Sequence, residues 1–79
     1  MKERKKMKAK IRLDGLTDVA RFVLKASQIK EPVYVTCGDR ICVSGKSFLG
    51  LAHAQEYSEL WCECEKDIYT AIEEFIVIE

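Results

Sequence analysis

The 79-residue chain is 48% apolar, holds four glycines, one proline, four cysteines and one histidine, and has a net charge of zero. A chain this short supports one domain with a thin core, since folding removes only about 60% of its unfolded surface from water, and its composition excludes the disordered and fibrous classes. No apolar run reaches the length of a membrane span, and the basic start is not followed by the apolar stretch of a signal peptide, so a cytoplasmic protein with no membrane partner is expected.

The charge is unevenly placed. The first twelve residues carry seven of the thirteen Lys and Arg but one of the thirteen acids, which leaves them at +6 and the remainder at −6. Residues 1–7 read as a basic, frayed and solvated terminus, and 8–79 as the single domain. With no aromatic side chains interleaved, this terminus offers bases no stacking platform, and nucleic acid is not an expected partner.

Lys8 to Leu13 alternates, placing Ala9, Ile11 and Leu13 on one face and Lys8, Lys10 and Arg12 on the other, as in a half-buried strand. Asp14-Gly15 ends it. Thr17 or Asp18 then caps a helix whose apolar side is Val19, Phe22, Val23, Ala26 and Ile29, and which stops near Gln28 to Lys30 ahead of Pro32. From Val33 the period becomes two: Val33, Val35 and Cys37 point inward, Gly38-Asp39 turns the chain, and Ile41 and Val43 return on the inward side, with Cys42 pointing the other way.

Ser44, Gly45 and Ser47 interrupt the hairpin and start a short second helix with Phe48, Leu49, Leu51 and Ala52 as its apolar members. Leu60, Cys62 and Cys64 face inward on a fourth strand, with Trp61, Glu63 and Glu65 outward. Asp67 then caps a last helix with the stripe Ile68, Ala71, Ile72, Phe75 and Ile76. The order is βαββαβα. Its economical packing is an α+β open-faced sandwich, a four-stranded antiparallel sheet with three helices on one face.

This order, together with Lys46-Ser47-Phe48-Leu49-Gly50-Leu51, resembles HPr, the phosphocarrier protein of the bacterial sugar phosphotransferase system. Arg21 to Ser27, Val33 to Thr36 and Glu65 to Glu74 are similar to the family's first helix, second strand and last helix. The resemblance implies a phosphoryl group carried on a histidine in a Gly-apolar-His-x-Arg-Pro motif at the start of the first helix, where helix amides and an arginine stabilise the phosphate. The matching stretch here, Asp14-Gly15-Leu16-Thr17-Asp18-Val19-Ala20-Arg21, has neither histidine nor proline, and Asp18 puts a negative charge where phosphate would sit. No catalytic residue is assigned, and an enzymatic role is not expected.

The resemblance also implies that Ser47 is the target of a regulatory ATP-dependent kinase, a role compatible with capping the second helix. It further implies docking through Phe48, Leu49 and Ala52, flanked by Lys46 and His53, onto phosphotransferase-system enzymes, the serine kinase or a transcription regulator. The expectation is a diverged, noncatalytic HPr-like regulator without cofactor. The alternatives are an HPr-fold module without phosphorylation, and a phosphocarrier that uses His53, whose imidazole is chemically competent near neutral pH.

Four cysteines raise the question of a metal. Zinc ligand pairs sit two to four residues apart on a turn, whereas Cys62 and Cys64 straddle one strand residue, so free thiols and no metal are expected. In the HPr sheet order strands two and four are neighbours, which would bring Cys37 near Cys62 or Cys64.

Overall fold

The computed structural model describes residues 7–37, 41–57 and 59–78. The basic head up to Lys6 and the turn expected at Gly38-Asp39 lie outside the described residues. Four strands, β1 (Met7–Ile11), β2 (Val33–Cys37), β3 (Ile41–Ser44) and β4 (Leu60–Cys64), alternate with two helices, α1 (Gly15–Ser27) and α2 (Phe48–Ala54). The strands form one antiparallel sheet in the order β1-β4-β2-β3. Strand β1 begins at Met7, which pairs with Cys64, one residue ahead of the expected domain boundary.

The period-two pattern fixes which side of the sheet is covered. Ile11, Val33, Val35, Cys37, Leu60, Cys62 and Cys64 are buried against Val19, Phe22 and Ala26 of α1 and Leu51 and Ala54 of α2. Each fully buried Val, Leu, Ile or Phe among them contributes about 1.5–3 kcal/mol through removal from water. The intervening residues Lys8, Tyr34 and Cys42 are exposed, so the other face of the sheet is left uncovered. Among the described residues no helix is long and apolar enough to cross a membrane.

Helix α1 starts earlier than the expected Thr17 or Asp18 cap. Asp14 is its N-cap without a side-chain capping bond; instead the Asp14 amide donates to Asp18 Oδ2 (2.9 Å) and the Gly15 amide to Gln55 Oε1 (2.9 Å). Gly15 adopts φ of 89°, a left-handed conformation costly to residues with a Cβ. The Asp14-Gly15 pair thus opens the helix and does not merely end the strand.

The third helix is absent. Asp67 Oδ1 accepts from the Tyr69 amide (3.0 Å) in a local turn, one helical turn follows at Ile68 to Ile72, and only Glu73–Phe75 forms a 3-10 helix. The reason is the open edge of β1. Arg12 N donates to Phe75 O and Val77 N to Lys10 O, both at 2.9 Å, and Ile76 bridges Ile11, so the chain is drawn into sheet pairing before a helix can propagate. Four β-branched residues in the segment, Ile68, Thr70, Ile72 and Ile76, weaken the competing helix. The side chains still face the expected way: Ile68, Ile72 and Phe75 are buried, and the Phe75 ring meets Phe22 edge-on at 5.3 Å.

Candidate functional site

Helix α2 is held from both ends. Gly45 N donates to Val33 O at 2.6 Å, and a Cβ at Gly45 would lie 2.7 Å from Val33 Cγ1, so only glycine lets the chain pass this close to the sheet. Beyond it, Lys46 N donates to Ser44 Oγ (3.1 Å) and Ser47 N to Ser44 O (3.1 Å), which fixes the approach to the helix. Ser47 Oγ then accepts from Gly50 N at 3.1 Å, the capping bond expected of a serine at this position. The Lys46 ammonium donates to Ile29 O at 2.5 Å, tying the start of α2 to the segment after α1. Gln55, bonded to Gly15, ties the end of α2 to the start of α1.

The burial of α2 is one-sided. Leu51 and Ala54 are buried and Ala52 is half-buried, but Leu49 is 70% and Phe48 45% exposed immediately after Ser47. Both Leu16 (54%) and Leu24 (64%) of α1 also face water. The ties at their ends set the two helices antiparallel. Leu16 and Leu24 fall outside the stripe Val19, Phe22, Ala26, and that mismatch is the signal by which a helical projection of the sequence finds them.

The region matching the phosphohistidine motif is arranged differently. The amides of Asp14 and Gly15 already have side-chain acceptors, and the Asp14 and Asp18 carboxylates add negative charge beside them. Arg21 is bonded to Glu74, lies 4.0 Å from Asp18, and shares Glu74 with Lys25 (3.2 Å). A phosphate would find occupied donors, two carboxylates and a neutralised arginine. A cleft of about 370 Å³ opens beside this loop between β1, Gln55 and Tyr57, but its cations face carboxylates of their own: Lys10 lies 3.7 Å from Glu59 and Arg12 3.2 Å from Asp14.

His53 is exposed in the last turn of α2. Backbone carbonyls gather at that end, and the His53 carbonyl itself accepts from Glu56 N at 3.3 Å. The negative end of a helix disfavours the added anionic charge of a phosphoryl group at this position.

All four cysteines are free; Cys37, Cys62 and Cys64 are buried and Cys42 is exposed on the uncovered face. Strands two and four are neighbours as expected, but Val35 stands opposite Cys62 and Val33 opposite Cys64, leaving Cys37 diagonal to Cys62. Diagonal neighbours are about 7–8 Å apart, beyond disulfide reach. Burial, then Cys64, then Glu63 push the Cys62 thiol up to about 12; burial and Cys42 raise Cys37. These are inert thiols at neutral pH. Among the described residues no three His, Cys, Asp or Glu side chains are grouped to hold a metal.

No family model and no curated protein sequence matches the chain. Among solved structures, the crystal structure of HPr-C-His from Thermoanaerobacter tengcongensis is similar, with a TM-score of 0.64 at 23% identity over 91% of this chain and 90% of that one. The chain has an HPr-like fold.

Proposed function

We propose that residues 8–79 form a noncatalytic, cytoplasmic HPr-like module that docks onto proteins through Phe48, Leu49 and Ala52, with Lys46 and His53 at the margin, and is switched by phosphorylation of Ser47. The observation that carries this reading is the exposure of Leu49 and Phe48 directly beside a serine hydroxyl at a helix start. Large apolar side chains held in water on a small domain mark an interface. Its partners are phosphotransferase-system enzymes, the serine kinase or a transcription regulator.

The switch is chemically simple. Ser47 Oγ attacks the γ-phosphorus of ATP, the O–H proton leaves, and ADP departs. The product carries a charge of about −1.5 to −2 next to the apolar patch, and its oxygens compete for the Gly50 amide that Oγ now caps. A partner that reads the patch alone is repelled, and one that supplies an arginine is recruited.

Incubation with ATP and an HPr serine kinase tests this. Phosphate enters the wild-type protein and is lost in Ser47→Ala, which lacks the acceptor, and in Leu49→Asp, which keeps the acceptor but spoils docking. Equal incorporation into Ser47→Ala overturns the switch, and full incorporation into Leu49→Asp overturns the docking patch.

A further inference from the structure

The uncovered face of the sheet carries a pattern separate from the helix layer. Strand β1 presents a column of cations, Lys8, Lys10 and Arg12. Strand β4 and the residue before it present Glu63, Trp61 and Glu59 at the same levels, because the register pairs Lys8 with Glu63 and Lys10 with Trp61 and, continued by one step, sets Arg12 beside Glu59. The Lys8 ammonium lies 5.4 Å over the Trp61 ring, which places cation and indole on this face together. Tyr34, 46% exposed on β2, extends the aromatic area from the side.

We infer that this face binds a second copy of the same chain. A two-fold axis parallel to the strands and midway between β1 and β4 lays each copy's β1 over the other's β4 without changing level. Lys8 of each copy then meets Glu63 of the other, Lys10 meets Trp61, and Arg12 meets Glu59. Every level of the face is its own complement under that one operation, which is the requirement of an isologous dimer. An axis at right angles, which would stack lysine on lysine, is disfavoured by like-charge repulsion.

The intrachain pairs now present, Lys8–Glu63 at 3.9 Å, Lys10–Glu59 at 3.7 Å and Arg12–Asp14 at 3.2 Å, all lie at the surface, with Lys10 and Glu63 partly covered. Pairs of this kind are worth about 1 kcal/mol or less, so re-pairing across the interface costs little. Two strands about 4.8 Å apart and five residues rising about 3.4 Å each span a contact patch of roughly 200 Å² per copy, well below the roughly 800 Å² of a stable complex. The dimer is therefore weak, concentration-dependent and salt-sensitive.

Sedimentation equilibrium of the full chain from micromolar to submillimolar concentration tests the inference. The wild type shows a monomer–dimer equilibrium that added salt weakens, Trp61→Ala raises the dissociation constant at least about tenfold, and Leu49→Ala on the helix layer leaves it unchanged. Lys8→Glu/Arg12→Glu and Glu59→Lys/Glu63→Lys chains are each monomeric, yet form a heterodimer in native mass spectrometry when mixed, a result that surface damage alone does not give. A wild type monomeric throughout overturns the inference, as does an unaffected Trp61→Ala or a failure of the two charge variants to pair. Quenching of Trp61 by a single-stranded oligonucleotide in a chain that does not self-associate assigns the face to nucleic acid instead.

Discussion

The starts of the two helices use the same backbone geometry to opposite ends. At α1 the chain supplies its own acceptors, Asp18 to the Asp14 amide and Gln55 to the Gly15 amide, and the two arginines near it are paired with carboxylates, Arg12 with Asp14 and Arg21 with Glu74. At α2 a single hydroxyl, Ser47 Oγ, caps the Gly50 amide, and the side chains that follow face water. An anion site is made by donors left without acceptors near the surface, and a docking site by apolar side chains left without cover. In this protein the donors at the start of α1 have acceptors, and the large apolar side chains at the start of α2 face water.

The contrast depends on both helices sharing one core, and Phe22 is the residue that joins them to the sheet and to Phe75. Phe22→Ala is expected to lose about 3–5 kcal/mol by urea denaturation, with both regions melting in one transition. Separate transitions would mean that the two helix starts belong to independent units. Gly45→Ala sharpens the comparison by striking the approach to α2: the added Cβ, 2.7 Å from Val33 Cγ1 and 3.2 Å from Phe22 Cε1, costs about 1–3 kcal/mol. Amide exchange should rise more in residues 46–54 than at 15–20.

A smaller effect separates the two caps. Ser47→Ala removes a side-chain cap and costs about 1 kcal/mol, whereas Asp14→Ala costs less, because Asp14 makes no side-chain capping bond. Equal losses in thermal melts would remove the distinction. The thiols give a last contrast: exposed Cys42 should be alkylated in the native protein at neutral pH, and buried Cys62 only after unfolding. The Cys62 thiol is raised from 9.0 to about 12 in the folded state. Unfolded chains therefore lose its proton first as pH rises, and stability should fall between about 9 and 12. Cys62→Val should show a shallower fall over that range.

Burial was largely legible in the sequence because period-two and helical spacing dictate which side chains can share a face. Val33, Val35, Cys62, Phe22 and Phe75 all point where spacing puts them. Conformation was less legible where two backbone solutions bury the same side chains. Ile68 to Ile76 satisfies a helical stripe, yet the edge of β1 captures Ile76 and Val77, a long-range event that local spacing does not encode. The start of α1 was missed for a similar reason, since its second acceptor, Gln55, lies forty positions away. Of the candidate site, Ser47 as a cap and the outward turn of Cys42 followed from the residues themselves. The exposure of Leu16 and Leu24 is open to the same spacing argument, because both fall outside the stripe Val19, Phe22, Ala26.

Locating phosphate by peptide mass spectrometry after two parallel reactions tests the central contrast most directly. One reaction supplies ATP with an HPr serine kinase, the other phosphoenolpyruvate with the first enzyme of the phosphotransferase system. Phosphate on Ser47 from the first and none from the second is the predicted result. Phosphate on His53 from the second, or none on Ser47 from the first, would contradict it.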